Sequence, residues 1–267
     1  MQRIRLRYTK RGRLRFTSHR DFQRAFERAL RRSAVPMAYS AGFTPHPKVS
    51  YANAAPTGVA SEAEYLEIGL AEVRDPEALR AQLDDSLPIG LDIVDAVEVR
   101  TPNFAERLEA SLWELRLPEV SEEAAGRAIE LFLGAESVEV ERKTKNGVRV
   151  FDARGAVAGL ELVPAQVGLG PAGESAVTSD VRTGRPCAIL RLVVRHATPA
   201  VRPDDVLSGL RATADLALPV PAEVTRLAQG PLDEETGTVT DPLALDRAAA
   251  PAVPSEAAVE PQAAASA

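Results

Sequence analysis

Arg3-Ile4-Arg5-Leu6-Arg7-Tyr8 alternates a cation with an apolar residue at every step, and the alternation resumes in Arg13-Leu14-Arg15-Phe16 after Lys10-Arg11-Gly12. Period two is the signature of a strand with one buried and one wet face. With Gly12 free to take a reversal, the two runs read as a β-hairpin that sets five arginines on one side of a sheet. Like charges side by side in a sheet destabilise one another. The arrangement therefore calls for a partner that brings negative charge, and a phosphate backbone supplies it.

The following segment continues the basic character. Ser18 with Asp21 three residues on reads as a helix N-cap with an acid at the third position, and Phe22, Ala25, Phe26, Ala29 and Leu30 keep to one helical face. The other face carries Arg20, Arg24, Arg28, Arg31 and Arg32, with Glu27 four residues before Arg31. Residues 1–50 hold thirteen Lys and Arg against two acids, a balance of +11. Since the whole chain holds 32 basic and 38 acidic residues, the other 217 hold 19 and 36, a balance of −17. The net charge of −6 hides this segregation.

At 267 residues, 45% hydrophobic and 26% charged, the chain suits one large globular domain or two small ones. It has no run of eighteen apolar residues, and arginines stand where a signal peptide needs an unbroken apolar core, so a cytoplasmic location away from membranes is expected. The single cysteine, Cys187, rules out an internal disulfide and a cysteine-ligated zinc or iron–sulfur site built by this chain alone. His19, His46 and His196 are too few for a histidine-rich metal site.

Past the first helix, Met37–Ser40 reads as a short strand, and Ala41–Tyr51 as a loop shaped by Gly42, Pro45 and Pro47. Glu64–Leu70 is strand-like, Asp75-Pro76 opens a helix carrying Leu79, Leu83 and Leu87, and Leu91–Val99 is again a strand. Strand or hairpin, helix, strand, strand, helix, strand is the order of a ferredoxin-like βαββαβ unit, with two helices on one sheet face and the arginines on the open one. The order then repeats. Leu112–Leu117, a helix from Ser121 to Leu133, strands around a turn at Lys145-Asn146-Gly147, Ala188–Val194, a helix over Arg202–Leu210 and a strand at Glu223–Leu227 trace a second unit. The expected architecture is α+β, with two tandem ferredoxin-like halves over 1–100 and 108–230. Beyond Gln229 the chain has five prolines, eleven alanines and no aromatic residue, so 231–267 reads as a disordered tail.

The expected RNA-binding set is Arg3, Arg5, Arg7, Arg13, Arg15, Arg20, Arg24, Arg28, Arg31 and Lys48. These contacts go to phosphates, because Tyr8 and Phe16 fall on the apolar side of the alternation and offer no stacking platform on that sheet. Candidate acid–base groups are His19 beside Asp21, His46 held between Pro45 and Pro47, and Asp152 in Phe151-Asp152-Ala153-Arg154-Gly155. Each has a structural alternative: a helix cap for Asp21, an exposed loop histidine for His46, and a turn with a surface ion pair for Asp152. Cys187, opening an apolar strand, reads as packing.

Arg15-Phe16-Thr17-Ser18-His19-Arg20-Asp21, Glu27–Arg32, Pro36–Lys48 and Gly58–Tyr65 together resemble the radical SAM-linked protein family, with scattered further likeness at Asp152, Arg154, Pro203 and Arg226. That bacterial family is encoded beside, or fused to, a radical SAM protein with a cobalamin-type domain. The resemblance implies a partner more than an activity, and joined to the basic face it gives the expected role: an RNA-binding accessory to a separate radical SAM enzyme in tRNA or rRNA modification. The partner would use S-adenosylmethionine and an iron–sulfur cluster, with no cofactor bound by this chain alone. The alternatives are an RNA-modifying or RNA-processing enzyme in its own right, like a pseudouridine synthase or an endonuclease, and a protein-binding scaffold.

Overall fold

The computed structural model describes residues 1–145, 147–163 and 185–250. Strand β1 (Gln2–Lys10) forms as the alternation demands, with Ile4, Leu6 and Tyr8 buried on one face. The hairpin does not form. Gly12–Phe16 is a 3₁₀ turn instead, entered through Gly12 at φ 52° and closed by Leu14 N–H to the Arg11 carbonyl and Thr17 N–H to that of Leu14. Four residues of alternation are too few to choose between a strand and one tight turn.

Helix α1 (His19–Arg32) starts where the Ser18 hydroxyl accepts the Asp21 N–H at 3.2 Å. Phe22, Phe26, Ala29 and Leu30 lie one above another and are buried, and the Phe22 ring stacks on Tyr8 with centroids 4.2 Å apart. Burial of each large side chain contributes roughly 1.5–3 kcal/mol as an upper bound.

Next come β2 (Val49–Ala52), β3 (Ala60–Leu70), α2 (Pro76–Asp84) and β4 (Ile93–Glu98). The expected strand at Met37–Ser40 is reduced to two isolated bridges, Met37 to Leu70 and Tyr39 to Pro47. Prolines 36, 45 and 47 lack the N–H that a ladder needs, so regular pairing begins at Val49. The strands lie in the order β4-β1-β3-β2, each antiparallel to its neighbour.

The second half contains β5 (Ala110–Pro118), α3 (Glu122–Gly134), β6 (Glu139–Thr144), β7 (Gly147–Asp152), β8 (Val157–Leu162), β9 (Cys187–Arg195), α4 (Pro203–Ala214) and β10 (Glu223–Gly230). Its order, β10-β5-β9-β8, is again antiparallel throughout. Once the β6–β7 hairpin is set aside, the two halves repeat one strand order. The hairpin closes at Thr144 and Gly147; Asn146, like 164–184, lies outside the described residues. Helices α3 and α4 approach closely at Gly209, where a Cβ would meet Phe132 Cε2 at 2.7 Å.

One long strand welds the halves together. β3 gives Tyr65–Ile68 to β2, while Ala60 and Ser61 pair in parallel with Thr225 and Arg226 of β10. Among the described residues the result is an α+β arrangement of one eight-stranded mixed sheet and five α-helices. No helix among the described residues is long and apolar enough to cross a membrane.

The expected tail is corrected from 231 to 250. β11 (Leu232–Asp233) pairs with β12 (Thr238–Val239), and α5 (Ala244–Ala248) follows. This strap passes so close to β10 that a Cβ on Gly230 would lie 2.1 Å from the Thr240 carbonyl oxygen. Two anchors replace the missing aromatics: Leu243 and Asp246 are buried. Leu243 packs with Ala63, Tyr65, Val97 and the linker residues Phe104 and Leu108, on the sheet face opposite α1 and α2. Residues 251–267 lie outside the described residues.

Asp246→Ala should destabilise the fold by about 3–5 kcal/mol in chemical denaturation, because it takes the buried carboxylate from both Arg5 and Arg107 and leaves Arg5 only the partly exposed Glu67. Burial pushes the Asp246 carboxyl up, but hydrogen bonds from Thr101, the Arg100 N–H and Arg5 outweigh it and hold the group down at about 2. A depressed carboxyl contributes stability above its unfolded value of about 3.9, and that stability is lost as pH falls from there toward 2. The variant should lose that part of the acid dependence.

Candidate nucleic-acid interface

The arginines of β1 are unequally covered: Arg3 is exposed, Arg7 half-buried and Arg5 buried. Arg5 is 1% exposed, with Nε 3.2 Å from Glu67, Nη1 on Asp246, Nη2 donating to the Thr101 carbonyl at 2.8 Å, and its guanidinium 4.7 Å from the Phe104 ring centroid. Asp246 also accepts from Arg107 at 3.1 Å, the Thr101 hydroxyl at 2.7 Å and the N–H groups of Arg100 and Thr101 at 2.9 Å. Arg3 pairs with Glu67 at 3.0 Å, and Arg7 lies 4.0 Å from Asp95 with a buried Nε that has no hydrogen-bond partner among the described residues. The expectation that Arg5 faces phosphates is therefore corrected: its counter-charge comes from Asp246 of α5 and Glu67 of β3. Lys48 sits against Gly69 with its ammonium 3.6 Å from Met1 Sδ, on this same side of the sheet.

The open basic surface is the outer face of α1, across the sheet from Arg5. Arg20, Arg24, Arg28, Arg31 and Arg32 are exposed there, as is Arg13 on the preceding 3₁₀ turn. Arg24 meets Asp21 at 3.8 Å and Arg31 meets Glu27 at 3.9 Å, solvated pairs worth at most about 1 kcal/mol each. Among the described residues, Arg20 and Arg28 have no carboxylate within 4.0 Å. Arg15 lies over the exposed Phe16, 4.6 Å from its ring centroid.

At the C-terminal end of α1, residues 36–48 fold into a ribbon. Ala38 donates to the Gly69 carbonyl, Lys48 to that of Ala38 and Ser40 to that of His46, while the His46 N–H reaches the Ser40 hydroxyl at 3.0 Å. Between ribbon and helix lies a groove of about 480 Å³, floored by Leu30, Val35 and Met37 and rimmed by Glu27, Arg31, Tyr39 and His46. Tyr39 and Phe43 are exposed.

The three acid–base candidates are not brought together. Asp152 organises a turn: Oδ1 accepts from Val138 N–H at 2.8 Å and Arg154 N–H at 2.9 Å, and Oδ2 from Gly155 N–H at 3.0 Å. Burial pushes this carboxyl up, and the three N–H groups hold it below the ordinary range. Arg154 turns away from it to the carbonyls of Leu133 and Val157. His19, at the start of α1, has Nε2 3.1 Å from the Gln23 amide nitrogen and meets the Tyr51 ring edge-on at 4.8 Å, while Asp21 is taken by the Ser18 hydroxyl. His46 stands alone at the groove rim. Cys187 is buried at the start of β9. Among the described residues no group of three or more His, Cys, Asp or Glu is placed to hold a metal ion.

The seam between the halves holds polar residues that periodicity gave no means of finding. Arg226, 2% exposed, pairs with buried Glu64, donates to Ser61 and Gln229, and lies 5.5 Å from the Trp113 ring centroid. Gln229 reaches the Ala63 carbonyl and receives Asn53. Lys10 is buried close by, and burial pulls its ammonium below the usual lysine range. His196 contacts the Ser111 hydroxyl at 2.7 Å and the Leu108 carbonyl at 2.5 Å; burial lowers its pKa, so it favours the neutral ring.

A family model described as "Uncharacterized protein conserved in bacteria" (DUF2344) matches residues 3–203. The chain belongs to this family. A search of curated proteins finds no match. The DUF2344 span takes in α1, the ribbon and Asp152, and ends before Arg226, the strap and Asp246.

Asp152→Ala should lower stability by about 1–2 kcal/mol in denaturant titration, through three unanswered N–H groups, and leave nucleic-acid affinity unchanged. A loss of affinity without a loss of stability would return Asp152 to the functional set.

Proposed function

We propose that this protein is an RNA-binding accessory subunit that presents tRNA or rRNA to a separate radical SAM enzyme. The observation that carries the reading is the outer face of α1, where Arg20, Arg24, Arg28, Arg31 and Arg32 are exposed and Arg20 and Arg28 have no carboxylate partner among the described residues. A row of exposed arginines on one helix, only two of them paired with a carboxylate and then loosely, concentrates positive charge that attracts a polyanion, while the −17 of residues 51–267 leaves the rest of the chain unsuited to one. Phosphate contacts of this kind supply affinity and little sequence information.

The radical SAM partner rests on the sequence resemblance and is supported by the cysteine count, since a cluster needs three thiolates and this chain has one. S-adenosylmethionine and the cluster then belong to the partner, and the acidic remainder of the chain is the surface left for it, in a cytoplasmic complex. The repeated order β4-β1-β3-β2 and β10-β5-β9-β8, each with two helices, favours reading the halves as tandem ferredoxin-like units. A binding role is preferred to catalysis in this chain because Asp152 serves a turn and neither His19 nor His46 is paired with a carboxylate.

Changing Arg20, Arg24 and Arg28 together to glutamine should weaken binding to tRNA or rRNA fragments by at least tenfold at low salt, and should flatten the slope of log affinity against log salt by about two to three. Arg3→Gln, an exposed change on the opposite sheet face, should leave that slope unchanged. Slopes equal to the native one for the α1 variant would remove the helix from the interface.

A further inference from the structure

We infer that the groove between the end of α1 and the 36–48 ribbon is a pocket for one unpaired RNA base, so that the protein recognises looped or single-stranded RNA and not a continuous duplex. This inference rests on the RNA-binding reading above and adds a selectivity to it. The volume of about 480 Å³ is that of a small-ligand site, and its make-up suits a nucleobase. Leu30, Val35 and Met37 give an apolar floor. Tyr39, 55% exposed, and His46 offer π-faces at the rim, held by the Tyr39–Pro47 bridge and the Ser40–His46 hydrogen bonds.

The polar groups of the rim divide the work. Glu27 presents a carboxylate acceptor to a base edge that donates an N–H, and its 3.9 Å pairing with Arg31 directs it. Arg31 belongs to both groove and basic face, so a backbone tracking along α1 delivers its base to this point. The exposed Phe43 at the ribbon tip adds a platform for a neighbouring base. In a duplex, bases are stacked inside and their edges paired, so only an unpaired nucleotide can enter. The charge of the approach favours RNA over an apolar peptide as the occupant.

The test compares two RNAs with equal numbers of phosphates, a hairpin with an unpaired loop and a blunt duplex, binding to the native protein, Tyr39→Ala, Tyr39→Phe and the α1 triple arginine variant. The native protein should prefer the hairpin by about tenfold or more, the range expected for one stacked base. Tyr39→Ala should erase the preference while leaving duplex binding unchanged, and Tyr39→Phe should keep it. Tyr39 is exposed, so melting curves of these variants should overlay the native curve. Equal native affinity for the two RNAs, both weakened by the arginine changes, overturns the base pocket and leaves the phosphate reading standing. A preference that survives Tyr39→Ala also overturns it. Failure of the native protein to bind either RNA removes both readings.

Discussion

Arg5 and Asp246, 241 residues apart, meet in the interior with both side chains almost wholly out of water. Neither tolerates that position alone, because a buried charge without its counter-charge costs several kcal/mol. The pair therefore fixes three things at once: β1 between β4 and β3, the linker that supplies Thr101 and Arg107, and the last helix. Once α5 is in place, Leu243, Phe104 and Tyr65 share a small core, and burial pushes the Tyr65 hydroxyl up to about 12. The part of that sheet face around Arg5 becomes the inside of the protein, while Arg3 near its end stays exposed.

That closure decides which cations can work. Arg5, held by Glu67, Asp246 and a carbonyl and shut away from water, is out of reach of a phosphate, whereas the arginines of α1 face water with few partners. The fold thus divides one basic segment into a structural part and a presented part. The seam made by Glu64 and Arg226 does for the two halves what Asp246 does for the strap, joining β3 to β10 through a satisfied buried charge. Both joints hold distant segments in register.

Much of this was legible in the sequence, and the failures have identifiable physics. Strong periodicity over long runs located β1, α1, β5 and α3, and the repeated element order follows from them. Period two shows that Arg3, Arg5 and Arg7 share a face, but carries no information on what covers it. The cover is an Ala- and Pro-rich segment whose composition reads as disorder, and whose two anchors, Leu243 and Asp246, are single residues without a pattern. Arg13–Phe16 was too short for its alternation to mean a strand, and the proline-rich approach to Val49 hid β2. The groove needed the tertiary structure, since Glu27 and His46 come from different elements.

Hydrogen–deuterium exchange of the full chain, alone and with a structured RNA, tests the central claim most directly, because it reports on both sheet faces in one experiment. Protection confined to α1 and residues 36–48, with β1 and the strap exchanging as slowly as in the free protein, is the predicted pattern. Faster exchange in 231–248 together with new protection in β1 would show that RNA displaces the strap to reach Arg5, and would contradict it.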